Sequence, residues 1–290
     1  MELRQQREVG RHLRLRELLV GIEGLALLRQ LSEGDDDADR ARIDEIRKLA
    51  AADDSALGDE VPVVEVGVLD LYRVWSATYD DSSRPIRLIE EPVVWSLLEQ
   101  LPPGRALDAA CGTGRYARLL VELGHEVIGV DLSPEMLAKA RAAVPAARFE
   151  VGDLRSLPVE SASLDLAVCG LALDHVEDLV APLAELARAV RPGGDVILSD
   201  VHPVVSLLGG AAHVQLPDGS RGFVRNHAHL HSDYLDAFGR VGLELRRCLE
   251  PPYTVEALRL KRTAMTRIPD ATKAAYLGLP AAVVWHLVRS

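Results

Sequence analysis

The stretch Ala106-Leu107-Asp108-Ala109-Ala110-Cys111-Gly112-Thr113-Gly114 indicates the fold of this chain. A short apolar run ends in a glycine turn, and the pattern of a helix follows over 113–123. The spacing of Gly112, Gly114 and Ala117 fits a strand–turn–helix unit in which the backbone approaches a nucleotide-type ligand. Because this spacing alone is a weak signal, the neighbouring residues must identify the ligand.

Strand and helix patterns alternate on both sides of this turn. They predict an α/β fold, namely a Rossmann-like, mostly parallel sheet of seven strands with helices on both faces. The predicted strands are 105–110, 126–130, 149–151, 164–169, 195–200, 243–249 and 282–287. Ser133 and Pro134 predict a capped helix start, and Ser232 predicts another. The last two strands are predicted to form a hairpin at one edge.

The first 60 residues differ from the rest of the chain. They are charged, show no strand pattern, and carry apolar residues at helical spacing over 15–25 and 43–49. We therefore expect a helical extension over 1–60 and an α/β domain over 61–290. A leucine stripe needs a partner surface, so the extension is expected to pack on the main domain or to form a homodimer interface.

Composition and charge exclude several classes of partner. The 290 residues carry a net charge of −11 and no dense basic run, which argues against nucleic acid. No apolar run approaches the ~20 residues of a membrane span, and the N-terminus lacks a signal core, so we expect a cytoplasmic enzyme. The three cysteines lack the short spacing of a zinc site, and no metal is expected.

Asp108 stands just before the glycine turn and separates two classes of ligand. A nicotinamide dinucleotide places its pyrophosphate on such a turn. A carboxylate there would repel it, since two unit charges about 4 Å apart interact by ~4 kcal/mol at an effective dielectric constant of about 20. S-adenosylmethionine carries an ammonium and a sulfonium and no phosphate. Asp108 therefore favours S-adenosylmethionine and argues against an NAD-dependent oxidoreductase.

Two more acidic residues follow the next two predicted strands. Asp131 lies 19 residues after Gly112, close to the about 20 expected for a residue that binds a ribose. Its carboxylate can accept a hydrogen bond from each ribose hydroxyl, at ~1.5–3 kcal/mol each, with Leu132 under the adenine. Asp153 is expected to accept a hydrogen bond from the adenine amino group, with Leu154 packed on the ring.

The stretch from Asp108 to Asp200 resembles the class I S-adenosylmethionine-dependent methyltransferase family, especially its branch of ubiquinone/menaquinone C-methyltransferases and small-molecule enzymes of secondary metabolism. Four motifs carry this resemblance: Asp108-Ala-Ala-Cys-Gly-Thr-Gly114, Val130-Asp131-Leu-Ser-Pro-Glu-Met136, Gly152-Asp153-Leu154 and Arg191-Pro-Gly-Gly194. Upstream, Tyr72-Arg-Val-Trp-Ser-Ala-Thr-Tyr79-Asp80 resembles the family's aromatic segment that folds over the cofactor. The similarity covers about 69–290, and residues 1–60 match nothing in the family.

Together, the motifs and the resemblance imply the following cofactor-binding residues: Tyr72, Tyr79, Asp108, Ala110, Gly112, Gly114, Asp131, Leu132, Met136, Asp153, Leu154 and Cys169. One departure narrows the substrate. Methyltransferases of DNA adenine or protein glutamine resemble each other in an Asn/Asp-Pro-Pro-Tyr run after the fourth strand, where this chain has Cys169-Gly-Leu-Ala172. Adenine methylation is therefore disfavoured, and a small organic substrate is expected.

Three histidines are candidates for a general base. His175 follows the fourth predicted strand and His202 the fifth, at the sheet edge where open α/β sheets bind ligands. Asp200 is placed to orient His202. The insertion 201–231 is expected to be irregular and to cap the substrate, with His229 as a possible contact. His227, His229 and His231 alternate, but loop or pocket histidines are favoured over a metal site.

The expected function is methyl transfer from S-adenosylmethionine to an O, N or C nucleophile of a small molecule. A general base would add about 10²–10⁴-fold to proximity. Two alternatives remain open: a methyltransferase-like protein that holds the cofactor for another role, and an NAD-dependent oxidoreductase, which Asp108 disfavours.

Overall fold

The structure is a computed structural model that describes residues 6–53, 55–80 and 84–290. The strands are β1 Gln6–Leu13, β2 Val61–Val66, β3 Arg105–Ala109, β4 Glu126–Asp131, β5 Arg148–Val151, β6 Leu164–Gly170, β7 Val190–Val201, β8 Ala212–Gln215, β9 Arg221–Val224, β10 Leu243–Leu249 and β11 Ala282–Arg289. The α-helices are α1 Leu15–Gln30, α2 Asp36–Ala51, α3 Ser55–Gly58, α4 Val68–Trp75, α5 Pro85–Leu98, α6 Arg115–Glu122, α7 Pro134–Ala143, α8 Val180–Ala189, α9 Pro203–Leu207, α10 His231–Val241, α11 Val255–Leu258, α12 Arg262–Arg267 and α13 Pro269–Tyr276.

A seven-stranded sheet forms the centre of the fold, in the order β10-β11-β7-β6-β3-β4-β5. The strands from β3 to β7 run parallel, whereas β11 pairs antiparallel with both β7 and β10. The predicted α/β class and its seven mostly parallel strands are confirmed. The two edge strands do pair, but helices α11 to α13 separate them in the chain, so they are not joined by a tight turn.

Helices cover both faces of this sheet because each face is apolar. On one face, Leu183 of α8 and Phe238 of α10 pack on a cluster that includes Leu198 of β7. On the other face, side chains of α5, α6 and α7 pack together, among them Leu98 and Leu120. Within the described residues, no helix has the length and apolar composition needed to cross a membrane.

A second sheet joins two segments that are far apart in the sequence. Its order is β1-β2-β9-β8, with β2 parallel to β9. The expectations that the first 60 residues contain no strand and that 201–231 is irregular are therefore wrong. The β1 sequence is mostly polar and charged, and β2 contains Pro62, so neither shows the alternation typical of a strand. Pairing across the fold decides their structure instead. The division into domains at residue 60 stays a prediction.

Helices α1 and α2 lie where the sequence places helices, and α1 packs within the chain. Leu19, Ile22 and Ala26 of α1 are buried in one cluster with Ala271 and Ala275 of α13. The leucine stripe therefore has a partner surface in the same chain, which removes the argument for an intermolecular one. The homodimer stays a prediction.

Two helix starts were predicted from capping residues, with different outcomes. Ser133 caps α7, because its Oγ accepts a hydrogen bond from the Met136 N–H at 3.2 Å. Ser232 does not cap α10, which begins one residue earlier. There, Asp233 accepts a hydrogen bond from the Leu230 N–H at 2.8 Å and satisfies the helix start.

Candidate cofactor and substrate site

A cavity of about 800 Å³ opens at the carboxyl ends of the parallel strands. It lies where β3 and β6 are neighbours, and from there the chain order runs in opposite directions along the sheet. Open α/β sheets bind ligands at such a switch point. The wall comes from residues within 67–72, 110–112, 131–133, 152–155 and 170–181, together with Tyr79 and His227.

Two non-glycine residues of the wall have left-handed backbone conformations. Ala110 follows β3 with φ = 55°, and Leu171 follows β6 with φ = 57°. Such conformations cost about 1–3 kcal/mol and cluster at functional sites. Gly112, at φ = 54°, has nothing within 4 Å of where a Cβ would stand. The glycine turn therefore presents bare backbone to the cavity.

Asp131 is held by two backbone donors at the cavity wall. Its Oδ2 accepts a hydrogen bond from the Gly112 N–H and its Oδ1 from the Ser133 N–H, both at 2.8 Å. Burial raises the pKa of Asp131, and the two backbone hydrogen bonds oppose that shift. Each carboxylate oxygen keeps a second acceptor site. Leu132, next to it on the wall, is 40% exposed and offers an apolar surface.

Asp108 lies behind the glycine turn and does not line the cavity. Its side chain accepts a hydrogen bond from the Ala117 N–H of α6 at 2.7 Å, and the residue is 1% exposed. Burial raises its pKa to about 7. This geometry does not support the expected direct contact with a ligand cation, which stays a prediction. Asp108 instead holds the start of α6 against the end of β3.

Three other candidates support the wall from behind. Gly114, at φ = 85°, would place a Cβ 3.3 Å from the Cβ of Ala140, so it allows α6 and α7 to approach closely. Met136 and Cys169 are fully buried in the core. None of the three lines the cavity, which corrects the expectation that they contact the ligand.

Asp153 lines the cavity but is already paired. Arg155 donates to both of its carboxylate oxygens, at 2.9 and 2.6 Å, and lowers the pKa of Asp153. Arg155, like Leu154, is itself part of the wall. An adenine amino group bound to Asp153 would therefore share its carboxylate with the Arg155 guanidinium. The sequence did not predict this pairing.

The aromatic segment covers the cavity as the sequence predicts. Tyr72 and Tyr79 line the wall, with ring centroids 6.0 Å apart. The Arg84 guanidinium stacks over Trp75 at 3.4 Å and over Tyr79 at 4.4 Å. The same segment is joined to the glycine turn, since the Thr113 hydroxyl donates to Asp80 at 2.8 Å.

Of the three histidine candidates, only His175 lines the cavity. Its Nε2 lies 3.0 Å from the hydroxyl of Tyr72, another wall residue. On the opposite side of the ring, Nδ1 lies 3.6 Å from Oδ1 of Asp174. Burial lowers the pKa of His175 and the negative charge of Asp200 opposes that shift, so the net lowering keeps the imidazole neutral at neutral pH. This arrangement presents a proton-accepting pair to the cavity.

His202 has a structural role in this fold. Its Nδ1 accepts a hydrogen bond from the Val204 N–H at 3.2 Å and caps α9, while Nε2 lies 2.9 Å from Glu250. Asp200 does not orient it, because Asp200 accepts a hydrogen bond from the Tyr234 hydroxyl at 2.8 Å. The expectation of His202 as the base is not supported by this geometry.

The hydrogen bond from the Val204 N–H to His202 also affects a cluster of three residues whose side chains are of metal-binding types. Ligand atoms of His202, His231 and Glu250 all lie within 4.8 Å of one another. Because Nδ1 of His202 uses its lone pair to accept the Val204 N–H, the proton of the neutral ring stands on Nε2. That nitrogen then donates to Glu250 and has no lone pair for a metal, while Nε2 of His231 is buried without a hydrogen-bond partner.

His229 also lies outside the wall, with its Nε2 2.8 Å from the carbonyl of Val176. The insertion contributes His227 to the wall instead. Sequence reasoning missed Arg155 and Asp174, and it grouped His227 with the loop or pocket histidines without selecting it as a site residue. Asp174 had a usable signal, since it directly precedes His175 in the segment that follows the predicted strand 164–169.

Comparison with known proteins agrees with this geometry. Residues 107–198 match the methyltransferase domain family. The chain is 40% identical over 98 residues to a malonyl-[acyl-carrier protein] O-methyltransferase of Serratia marcescens, covering 34% of this chain and 38% of that protein. It is 39% identical over 115 residues to a demethylmenaquinone methyltransferase of Deinococcus radiodurans, covering 38% and 48%. The chain thus spans less than half the length of these curated relatives.

Solved structures extend the likeness beyond the matched segment. An S-adenosylmethionine-dependent methyltransferase from Mesorhizobium loti is 26% identical with a TM-score of 0.54, covering 69% of this chain and 98% of that one. The DhpI complex with S-adenosylhomocysteine shares the fold at 21% identity with a TM-score of 0.56, covering 77% and 95%.

Proposed function

We propose that the chain is a class I S-adenosylmethionine-dependent methyltransferase that transfers a methyl group from S-adenosylmethionine to an O, N or C nucleophile of a small organic molecule; the match of residues 107–198 to the methyltransferase domain family supports this. One observation carries the proposal. A single cavity at the sheet's switch point contains the glycine turn, the anchored Asp131 and the Tyr72–His175 pair.

The charges of the wall fit this cofactor. Five carboxylate residues line the cavity: Asp70, Asp131, Asp153, Glu177 and Asp178. Within the described residues, Arg155 is the one Lys or Arg on the wall, and its guanidinium is paired with Asp153; Asp70 is paired with Arg73, which is not on the wall. An acidic wall attracts a ligand that carries a sulfonium and an ammonium, and it repels a pyrophosphate. The wall therefore disfavours NAD-type dinucleotides even though Asp108 lies behind the turn.

Asp131 and its neighbours form the cofactor-binding part of the proposal. The free acceptor sites of Asp131 bind the two ribose hydroxyls, and Leu132 and Leu154 pack on the adenine. The bare backbone at Ala110 and Gly112 accommodates the methionine portion. The bound cofactor supplies an electrophilic methyl group on a cationic sulfur.

Tyr72 and His175 form the catalytic part of the proposal. An acceptor X–H gains the methyl group, loses its proton, and the sulfonium becomes a neutral thioether. The proton moves to Nε2 of His175, through the Tyr72 hydroxyl that is hydrogen-bonded to it. Burial keeps this imidazole neutral at neutral pH and therefore ready to accept the proton.

The acceptor is proposed to be small. The cavity has the size of a small-molecule site, and the net charge of −11 disfavours nucleic acid. The relatives are named for a malonyl-[acyl-carrier protein] and for demethylmenaquinone, so the domain alone does not specify the acceptor. A cytoplasmic location and a homodimer belong to the same proposal. Light scattering on the full chain tests the dimer.

Two measurements test the function. Calorimetry should show micromolar binding of S-adenosylmethionine and S-adenosylhomocysteine and no binding of NADH. Transfer of a labelled methyl group should then be followed with a panel of small phenols, amines and β-dicarbonyl compounds. Tight NADH binding would contradict the cofactor assignment. Cofactor binding without transfer to any acceptor would instead favour a non-methylating role.

A further inference from the structure

A line of polar side chains continues from the cavity into the core behind His175. It begins with Tyr72 of α4 and His175, continues through Asp174 and Asp200 at the end of β7, and ends at Tyr234 of α10. The Tyr234 hydroxyl donates to Oδ2 of Asp200 at 2.8 Å, and the Val201 N–H donates to Oδ1 at 2.9 Å. Neither Asp174 nor Asp200 lines the cavity.

The two carboxyls are buried side by side. Asp174 is 4% exposed and Asp200 is 1% exposed. Burial raises the pKa of Asp174, and burial together with the neighbouring Asp174 raises that of Asp200 well above its usual range. No Lys or Arg side chain forms an ion pair with either carboxyl among the described residues. Two such neighbouring buried groups do not both ionise, so the pair keeps at least one proton.

Two unsatisfied atoms face each other next to this pair. Oδ1 of Asp174 and Nδ1 of His175 are buried without a hydrogen-bond partner and lie 3.6 Å apart. The tautomer with its proton on Nδ1 directs that proton towards Asp174 and leaves Nε2 to accept from the Tyr72 hydroxyl. Catalytic hydrogen bonds are often long in ligand-free proteins and shorten in the reacting complex.

We propose that Asp174 and Asp200 act as a positioning pair for His175: they share one proton and keep one negative charge beside Nδ1. This inference rests on the proposed function of His175 as the base. The charge holds the ring proton on Nδ1, so that Nε2 remains the acceptor nitrogen towards the Tyr72 hydroxyl. When Nε2 takes the proton of the methyl acceptor, the Nδ1–H closes on Asp174, and the imidazolium is stabilised by the pair. Tyr234 holds Asp200 in place.

Other ionisable groups also surround His175 and must be kept constant in a test. They are Tyr72 from α4, His227 from the segment before α10, and, around Tyr72, the side chains of Tyr79, Arg84 and Asp131. Asp174→Asn and Asp200→Asn leave all of these unchanged. The two variants form a matched pair, because each removes one carboxyl of similar burial without changing its shape.

The test is an NMR titration of the His175 imidazole in the full chain with saturating S-adenosylhomocysteine, with His175→Gln to assign the signals. Asp174→Asn should lower the titration midpoint by about one pH unit or more, since the imidazolium loses its adjacent charge. Asp200→Asn should not lower it, because Asp174 then carries the charge alone. Equal lowering in both variants, or a change below about 0.3 units in Asp174→Asn, would overturn the proposal.

A third variant tests the proposal independently if either of the other two fails to fold. Tyr234→Phe removes the hydrogen bond to Asp200, shifts the shared proton towards Asp200, and should not lower the midpoint of His175. A lowered midpoint in this variant also counts against the pair. The titration needs no methyl acceptor and can be repeated without the ligand. Failure of methyl transfer or of cofactor binding is therefore scored separately from failure of the positioning pair.

Discussion

The Tyr72 hydroxyl lies 3.0 Å from Nε2 of His175, although 103 residues separate the two in the sequence. The second sheet makes this contact possible. Leu71 of α4 is buried in one cluster with Val66 of β2 and Val214 and Val224 of the insertion. The insertion thus supports the helix that brings Tyr72 over the strand ends, and it contributes to the site mainly through this helix.

His175→Gln should lower methyl-transfer turnover by about 10²-fold or more, because the proton acceptor is lost, while cofactor affinity stays within about threefold. Tyr72→Phe should lower turnover less. His229→Gln is the matched control, since His229 lies outside the wall, and it should change turnover little. Steady-state kinetics and calorimetry measure both quantities. A loss below about threefold in His175→Gln would mean that proximity alone drives the reaction.

The pH dependence of turnover should reflect the lowered pKa of His175. The base works only when neutral, so turnover rises with pH below the usual histidine range and stays level above it. A pH–rate profile with a saturating acceptor measures this. An acidic limb that persists unchanged in His175→Gln would assign it to another group.

Asp131→Ala should weaken S-adenosylmethionine binding at least about tenfold, equivalent to ~1.4 kcal/mol, because the ribose hydroxyls lose their acceptor. Asp165→Ala provides the control. This aspartate lies near the start of β6, at the amino ends of the parallel strands and therefore away from the cavity. There its carboxylate accepts hydrogen bonds from the Arg105 N–H and from Arg191. Calorimetry on both variants decides the matter, and an unchanged affinity in Asp131→Ala would place the ribose elsewhere.

Asp108 should make the protein less stable as the pH rises. Its folded-state pKa is raised from 3.8 to about 7, so the stability contributed by the protonated carboxyl is fully present below pH 3.8 and is lost as the pH rises through about 7. Asp108→Asn retains an acceptor for the Ala117 N–H but cannot ionise. At pH 8 its free energy of unfolding should exceed that of the wild type by on the order of 4 kcal/mol, since one pKa unit is ~1.4 kcal/mol. Its melting temperature should be higher accordingly.

The advantage of Asp108→Asn should shrink as the pH falls towards 5. Asp165→Asn provides a control of opposite sign, because Arg191 lowers the pKa of Asp165. That variant should lose stability at neutral pH. Thermal melts of the three proteins from pH 5 to 8 measure the differences, and a pH-independent effect of Asp108→Asn would contradict the buried, protonated carboxyl.

Two adjacent leucines test the packing of α1 against α13. Leu19→Ala should destabilise the protein by about 2–5 kcal/mol, because Leu19 is fully buried, and Leu18→Ala should stay within about 0.5 kcal/mol, because Leu18 is 52% exposed. Urea denaturation of both variants measures this. Equal effects would mean that α1 does not pack as described.

The seven strands of the central sheet and the Ser133 cap were predictable because their signals are local. Strands β2 and β9 were not, because their pairing of Val63 with Arg221 leaves no local pattern in either segment. The sequence also does not predict the direction in which a side chain points at the end of a strand. Asp108 and Asp131 both end strands beside the glycine turn, yet only Asp131 reaches the cavity. His175 and His202 likewise follow neighbouring strands, and only packing separates the proton acceptor from the helix cap.

The parallel pairing of β2 with β9 has a consequence for the order of folding during synthesis. The ribosome releases the N-terminal strands long before Arg221 emerges, and all of β3 to β7 is made in between. Until then, the β2 edge that later receives β9 remains unpaired. Because non-local strand pairing forms slowly, the parallel strands β3 to β7 are available first, β10 and β11 follow after β9, and α4 reaches its place over the cavity late. A nascent chain therefore forms the strand ends of the site before helix α4 is held over them.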